Sequence, residues 1–318
     1  MKTIKLTTPW NLPYLAQSPE GKGIWDGYRF CINDDCDEAD YWIVWGWEPK
    51  PQRVRVPRNH VIYLTDEAHE QRHYHPRYLS QFARVATPRK DLPGAHVVAF
   101  QEVAPWYLPA TWDELAGMPV PHKEQGQVSL ISSSLVHLPG HLKRFAFLNQ
   151  LRGHFKDRLH VFGRGIRPVD DKREAFFPYP YSIALENSAI PDYFTEKIRE
   201  IWLGYGFPFY WGCPNLNTYF DANAFVALDI DDLKTSVDQI EEAIRLDYWS
   251  NRFDVICQAR HRVLYTYHLY PALVRLVESL PEADKVAEVK IRPEKKYWEA
   301  DQHPARQWAR AALRALGR

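Results

Sequence analysis

In the run YPYSIALENSAIPDYFTEKIREIWLGY, residues 179–205, an apolar stretch breaks into Glu186 and Asn187, and a charged segment then opens with Glu196 and Lys197. Carboxylates of this kind accept hydroxyl groups. A lysine in the first turn of a helix adds a full positive charge to free backbone N–H groups and the helix dipole, which together attract an anion. The combination fits a diphosphate. Taken singly each residue is ordinary, since a first-turn Glu is capping chemistry and a polar loop commonly joins strand to helix. A second concentration is EAHEQRHYHPR, residues 67–77, with Glu67, Glu70, His69, His73 and His75 directly after Asp66. Histidines four apart on a helix can bind metal. Pro76 and the lack of a paired carboxylate motif favour a polar loop instead, so no metal site is expected. Cys31 and Cys36 in CINDDC would be half of a zinc site whose other half is missing, which favours a surface loop.

The elements that must position these groups are legible as short apolar runs. YWIVWGW (41–47), HVIYLTDE (60–67), FARVATP (82–88) and AHVVAF (95–100) read as buried strands. From residue 127 strands and helices alternate: QVSLISSS (127–134), helix HLKRFAFLNQLRGHF (141–155), LHVFG (159–163) and YSIALEN (181–187). Helix EKIREIWLGY (196–205), strands FPFYWG (207–212) and FVALD (225–229), and helix DDLKTSVDQIEEAIRL (231–246) follow. Alternation of this sort predicts an α/β chain with a parallel sheet and helices on both faces. Ligands of such sheets lie beyond the carboxyl ends of the strands, where Glu186 and Asn187 fall. PATWDELAGMPVPHKEQGQ (109–127) reads as a linker, and DIDD (229–232) as a strand end followed by a helix cap. The expected division is therefore 1–120, 121–275 and a helical tail at 276–318.

With 318 residues the chain is long enough for two cores. Lys+Arg and Asp+Glu both total 40, so no long-range field draws in nucleic acid or an anionic surface. No apolar run is long enough to span a bilayer, and MKTIKLTTPWNLPYLAQSPE lacks the core of a secretion signal. Four scattered cysteines suit free thiols in a reducing compartment, and a cytoplasmic protein is expected. Of the 12 tryptophans, Trp10, Trp25, Trp42, Trp45, Trp47, Trp106 and Trp112 lie early in the chain and are expected mostly in the core. In the tail, Arg306, Arg310, Arg314 and Arg318 make a basic helical stripe beside Trp308, Ala312 and Leu316. The stripe offers a peripheral membrane contact, although its modest apolar bulk favours packing on the protein.

The whole run YPYSIALENSAIPDYFTEKI followed by FPFYWGCPN resembles the donor-binding signature of the glycosyltransferase family 10 fucosyltransferases. That signature has an apolar strand, E-N-S or E-N-T, then D-Y-x-T-E-K-I and P-x-x-x-G. The resemblance extends upstream through SSSLVHLPGHLKRFAFLNQL, FGRG and DDKREAFFPYPY, and more weakly through WDGYRF, IYLTDEAHEQRHYHPRYLSQFARVAT and PWYL. It implies two Rossmann-like domains facing a cleft (GT-B type), the C-terminal one holding GDP-fucose and the N-terminal one an oligosaccharide acceptor. It further implies inverting transfer by single displacement. Arg144, Glu186, Asn187, Tyr193, Glu196 and Lys197 match family positions that line the nucleotide-sugar site. Lys197 and Arg144 would stabilise the leaving diphosphate. Glu67 would be the general base, with Asp66 and Glu70 as alternatives, because the family's E-P or E-S-P reads E-A-H here. The family needs no cofactor or metal for the chemical step. A different GDP-sugar donor, or a non-catalytic carbohydrate-binding relic, stays open at this stage. An enzyme of this kind would work in the cytoplasm, with the inner face of the membrane as a site of contact for lipid-linked acceptors.

Overall fold

The computed structural model describes residues 1–302 other than positions 35, 48, 49, 66, 69, 93, 95, 125, 126, 133–138 and 164. Asp66, His69 and the basic stripe from Arg306 to Arg318 lie outside the described residues. The chain forms two compact units: Met1–Leu12, Asp26–Ala99 and Leu276–Arg318 in one, Pro13–Trp25 and Phe100–Arg275 in the other.

In the first unit the strands Tyr28–Ile32, Lys2–Thr7, Tyr41–Trp45, Val61–Leu64, Arg84–Thr87 and Val97–Ala99 lie side by side in that order, and the pairs from Lys2–Thr7 outward are parallel. Every residue of Tyr41–Trp45 and of Val61–Leu64 is buried. Strands covered on both faces read as unbroken apolar runs, which is why these two were visible in the sequence. Trp42, wholly buried, satisfies its indole N–H by donating to Thr7 Oγ1 at 2.9 Å. Gln52–Pro57 behaves differently. Val54 and Val56 are buried while Arg53 and Arg55 face solvent, and the strand pairs antiparallel with Val286–Ile291. That strict alternation is a strand signal that the apolar-run reading passes over.

In the second unit the five parallel strands run in the order Leu159–Phe162, Val128–Ile131, Tyr181–Leu185, Phe207–Trp211 and Val226–Ala227. The central strand, Tyr181–Leu185, is buried throughout. Helices Pro139–Phe155, Glu196–Leu203, Leu233–Arg245 and Phe253–Arg262 flank the sheet. The Glu196–Leu203 helix is set by Thr195, whose side chain accepts from Lys197 N, and it drives Ile198, Ile201, Trp202 and Leu203 to full burial. Each such side chain contributes about 1.5–3 kcal/mol on removal from water. Asp232, in the DIDD run, caps the next helix by accepting from Thr235 N. The stretch expected to be a linker carries instead the helix Trp112–Gly117, opened by a capping box in which Thr111 and Glu114 exchange side-chain and backbone bonds. Leu115 of that helix is buried. A little further on, Lys123 points inward and its Nζ donates to the carbonyls of Phe177 (2.8 Å), Tyr179 (3.0 Å) and Gly204 (2.7 Å).

Candidate functional site

At the carboxyl end of the central strand of the second unit, Glu186 extends the ladder by donating its N–H to Trp211 O. Its side chain is wholly buried. Gly212 makes room for it: a Cβ there would come within 2.4 Å of Glu186 Cγ and 2.5 Å of the Tyr210 hydroxyl. Both carboxylate oxygens are engaged. Oε1 accepts from Thr195 N at 2.7 Å, and Oε2 accepts from Thr195 Oγ1 at 2.8 Å and from Lys197 Nζ at 3.2 Å. Lys197 Nζ also donates to Thr195 Oγ1 at 3.0 Å and stands 3.6 Å from Glu196 Oε1. Burial works against the ammonium, but Glu186 and then Glu196 outweigh it and hold Lys197 above its ordinary range. The result is a fixed positive charge at a helix N-terminus, with about a quarter of the side chain, 27%, open to solvent.

Arg144, on the Pro139–Phe155 helix, donates from Nη1 to Leu185 O at 3.1 Å, one residue before Glu186. Its Nε is buried without a hydrogen-bond partner among the described residues. Burial lowers its pKa, while Glu186 and Tyr193 oppose the shift. Tyr193 is 2% exposed in the loop between strand and helix. That loop is locked by Asp192, held at φ +65°: its N–H donates to Asn215 Oδ1 (2.9 Å), and its carboxylate accepts from Asn215 Nδ2 (2.7 Å) and the Tyr219 hydroxyl (2.6 Å). An αL backbone costs a non-glycine residue energy, which these bonds offset.

The Glu196–Leu203 helix carries further charge inward. Glu200, wholly buried, accepts from Lys172 Nζ at 2.7 Å and from Tyr107 N at 2.5 Å. Arg199 donates to the carbonyls of Glu102 (2.6 Å), Phe194 (2.9 Å) and Ala104 (3.1 Å), and burial pulls it down to about 10. Burial would raise Glu196, but Lys197 and Lys172 outweigh it and keep the carboxyl below its ordinary range. Glu196 is thus an ionised acceptor between two ammonium groups.

Of the residues expected from the sequence, Arg144, Glu186, Tyr193, Glu196 and Lys197 gather at this strand end. Asn187 follows Glu186 and is half-buried. Glu67 belongs to the first unit, after strand Val61–Leu64, where it is half-buried and Arg89 Nη1 lies 3.5 Å from its backbone carbonyl. Glu70 nearby is exposed. His75 caps the Pro76–Leu79 helix, its ring accepting from Arg77 N, and its other ring nitrogen meets Asp301 at 3.1 Å. Among the described residues no group of three or more His, Cys, Asp or Glu is placed to hold a metal ion, and no helix is long and apolar enough to cross a membrane. Arg199, Glu200 and Tyr107 escaped the sequence reading of the site, and Lys172 entered it only as the lysine of the matched run DDKREAFFPYPY. One signal was available for two of them: in EKIREIW the charges at 199 and 200 sit among residues that a helix must bury.

A fixed ammonium, a guanidinium and an ionised carboxylate at the carboxyl end of the central strand suit a ligand that combines an anion with hydroxyl groups. Neither a family model nor a curated protein sequence matches the chain. Among solved structures it is similar to an alpha1,3-fucosyltransferase crystallised with GDP, at 16% identity and a TM-score of 0.50, over 84% of this chain and 92% of that one. A glycosyltransferase from Rickettsia africae ESF-5 is similar at 10% identity and a TM-score of 0.48, over 87% and 97% of the two chains. MurG from Acinetobacter baumannii is similar at 9% identity and a TM-score of 0.43, over 88% and 99%. The fold is GT-B-like, with a parallel sheet and flanking helices in each unit.

Proposed function

We propose that the chain is an inverting glycosyltransferase of the family 10 type, moving fucose from GDP-fucose to a hydroxyl of a glycan acceptor. The observation that carries this reading is Lys197, held charged at a helix N-terminus by the buried Glu186 and the largely buried Glu196, with Arg144 beside them. In a single displacement the acceptor oxygen bonds to the anomeric carbon as the bond from that carbon to the diphosphate oxygen breaks, which inverts the configuration. The electron pair of the broken bond leaves on GDP. Lys197 and Arg144 are preorganised for that growing charge, and such groups stabilise a transition state more than the ground state. Arg144 adds a planar fork, whose Nε is buried without a hydrogen-bond partner among the described residues. Glu196, ionised and accepting only, suits the sugar hydroxyls of the nucleotide. Glu186 acts through Lys197, which it orients. Glu67 is the proposed base that takes the acceptor proton, a role that requires its carboxylate to reach the reacting hydroxyl.

The test is incubation of the purified chain with GDP-fucose and a panel of glycan acceptors, with the anomeric configuration of any product read by NMR. Transfer from GDP-fucose with inversion supports the reading. Transfer from GDP-mannose in its place would keep the mechanism and change the donor. Protection by UDP-sugars with none by GDP or GDP-fucose would overturn the donor assignment.

A further inference from the structure

Tyr107 is conspicuous for its exposure. Its neighbours Trp106 and Leu108 are 3% and 4% exposed, whereas Tyr107 leaves 46% of its surface open. The position is nonetheless held firmly. Glu200 takes the Tyr107 N–H on Oε1 and the Lys172 ammonium on Oε2, and Lys172 Nζ in turn stands 5.0 Å from the centroid of the Tyr107 ring. The phenol stays protonated: partial burial of its oxygen first, and then the carboxylate of Glu196, hold it above its ordinary range although the ring is open to solvent. Glu196 interacts with both Lys197 and Lys172. The groups of the site therefore follow one another as Arg144, Glu186, Lys197, Glu196, Lys172 and Tyr107. Phosphate-binding cations occupy one end of that series, a hydroxyl-accepting carboxylate the middle, and an exposed aromatic ring the far end.

We infer that Tyr107 is the stacking platform for the nucleobase of the donor, with Lys172 as the cation behind it. A nucleoside diphosphate presents phosphate, ribose and base in that same order. The cation also discriminates between ligands for the ring. An ammonium drawn to an aromatic face withdraws electron density from it, which favours the electron-rich face of a purine over the C–H face of a sugar, itself better served by an electron-rich ring. Glu200 fixes the ring's backbone and its cation together, so the platform stands ready before ligand arrives.

The inference rests on the proposed donor reading, and the two can fail separately. Binding of GDP, UDP, ADP, CDP and inorganic pyrophosphate to the wild type, Tyr107→Leu, Tyr107→Phe and Tyr107→Trp would be measured by calorimetry, with pyrophosphate read by displacement. Losing one base stack should weaken GDP by about 5- to 150-fold in Tyr107→Leu. Pyrophosphate should be unaffected, and the Phe and Trp variants should stay within about three-fold of the wild type, because each keeps a π face. The platform is overturned by equal GDP affinity in wild type and Tyr107→Leu, by parallel loss of GDP and pyrophosphate, or by Tyr107→Phe weakening as much as Tyr107→Leu. Preference for UDP over GDP, with UDP weakened in Tyr107→Leu, would uphold the platform and refute the donor. Failure of every nucleotide to bind the wild type would overturn both.

Discussion

Lys197→Met isolates the central electrostatic contact of the site. It removes the ammonium 3.2 Å from Glu186 Oε2 and leaves a wholly buried carboxylate with its bonds from Thr195. Breaking a buried ion pair from one side costs about 3–5 kcal/mol. Because 27% of the lysine side chain is exposed, water can enter the space it leaves. The expected loss is therefore at the lower end, about 3 kcal/mol, which at about 2.1 cal/mol/K of unfolding entropy per residue lowers the Tm of this chain by roughly 4–5 °C. Glu186→Gln added to Lys197→Met removes the stranded charge and keeps an amide oxygen for Thr195 N–H. The double variant should regain most of the stability. It should not regain transfer, because the leaving diphosphate still lacks its ammonium, and a loss of about 100-fold or more is expected in both variants. Urea unfolding followed by circular dichroism and GDP release from GDP-fucose read the two quantities independently. A double variant as unstable as Lys197→Met would show that stranding Glu186 is not the cause of the loss. A double variant with restored transfer would show that the Lys197 charge plays no part in the chemistry.

Saturating GDP should raise Tm, since a ligand at about 100 times its Kd stabilises the native state by about 2.7 kcal/mol; no shift with GDP at millimolar concentration counts against the site. Glu67→Gln should bind GDP-fucose normally and lose transfer, whereas normal turnover in that variant with Glu70→Gln inactive would move the base to the neighbour. Lys123→Met should destabilise the chain by about 3 kcal/mol, because three buried carbonyls lose one donor group. Burial pulls Lys123 down to about 7. The unfolded chain keeps this proton up to about pH 10.4, so the wild type should gain stability relative to Lys123→Met as pH rises from about 7 toward 10, and a flat difference across that range would refute the shift.

Much of the second unit is written locally. Tyr181–Leu185 is apolar because it is covered on both faces, and Thr195 followed by Glu196 and Lys197 announces a capped helix within a few residues. The capping box at Thr111 and Glu114 was equally local, although the prolines and polar residues around it suggested a linker. Gln52–Pro57 shows the limit of reading apolar runs, since Arg53 and Arg55 face solvent and its partner strand, Val286–Ile291, is far along the chain.

By itself the sequence determined the five strands of the second unit and the helices Pro139–Phe155, Glu196–Leu203 and Leu233–Arg245, and that Glu186, Asn187, Glu196 and Lys197 would sit near a carboxyl strand end. Those outcomes depend on periodicity, caps and turns that span a few residues. The tertiary structure decided what each charge does. Glu186 became a buried anchor for Lys197 because Gly212, on the neighbouring strand's exit, leaves the space its side chain needs. Glu200 met Lys172 and Tyr107, 28 and 93 residues before it, because the loops that carry them are brought to the same helix by packing. Charge in a helix says nothing of its partner until strand order and side-chain volume have set which distant residue shares its burial, and the desolvation cost of each buried carboxylate then makes that partner obligatory.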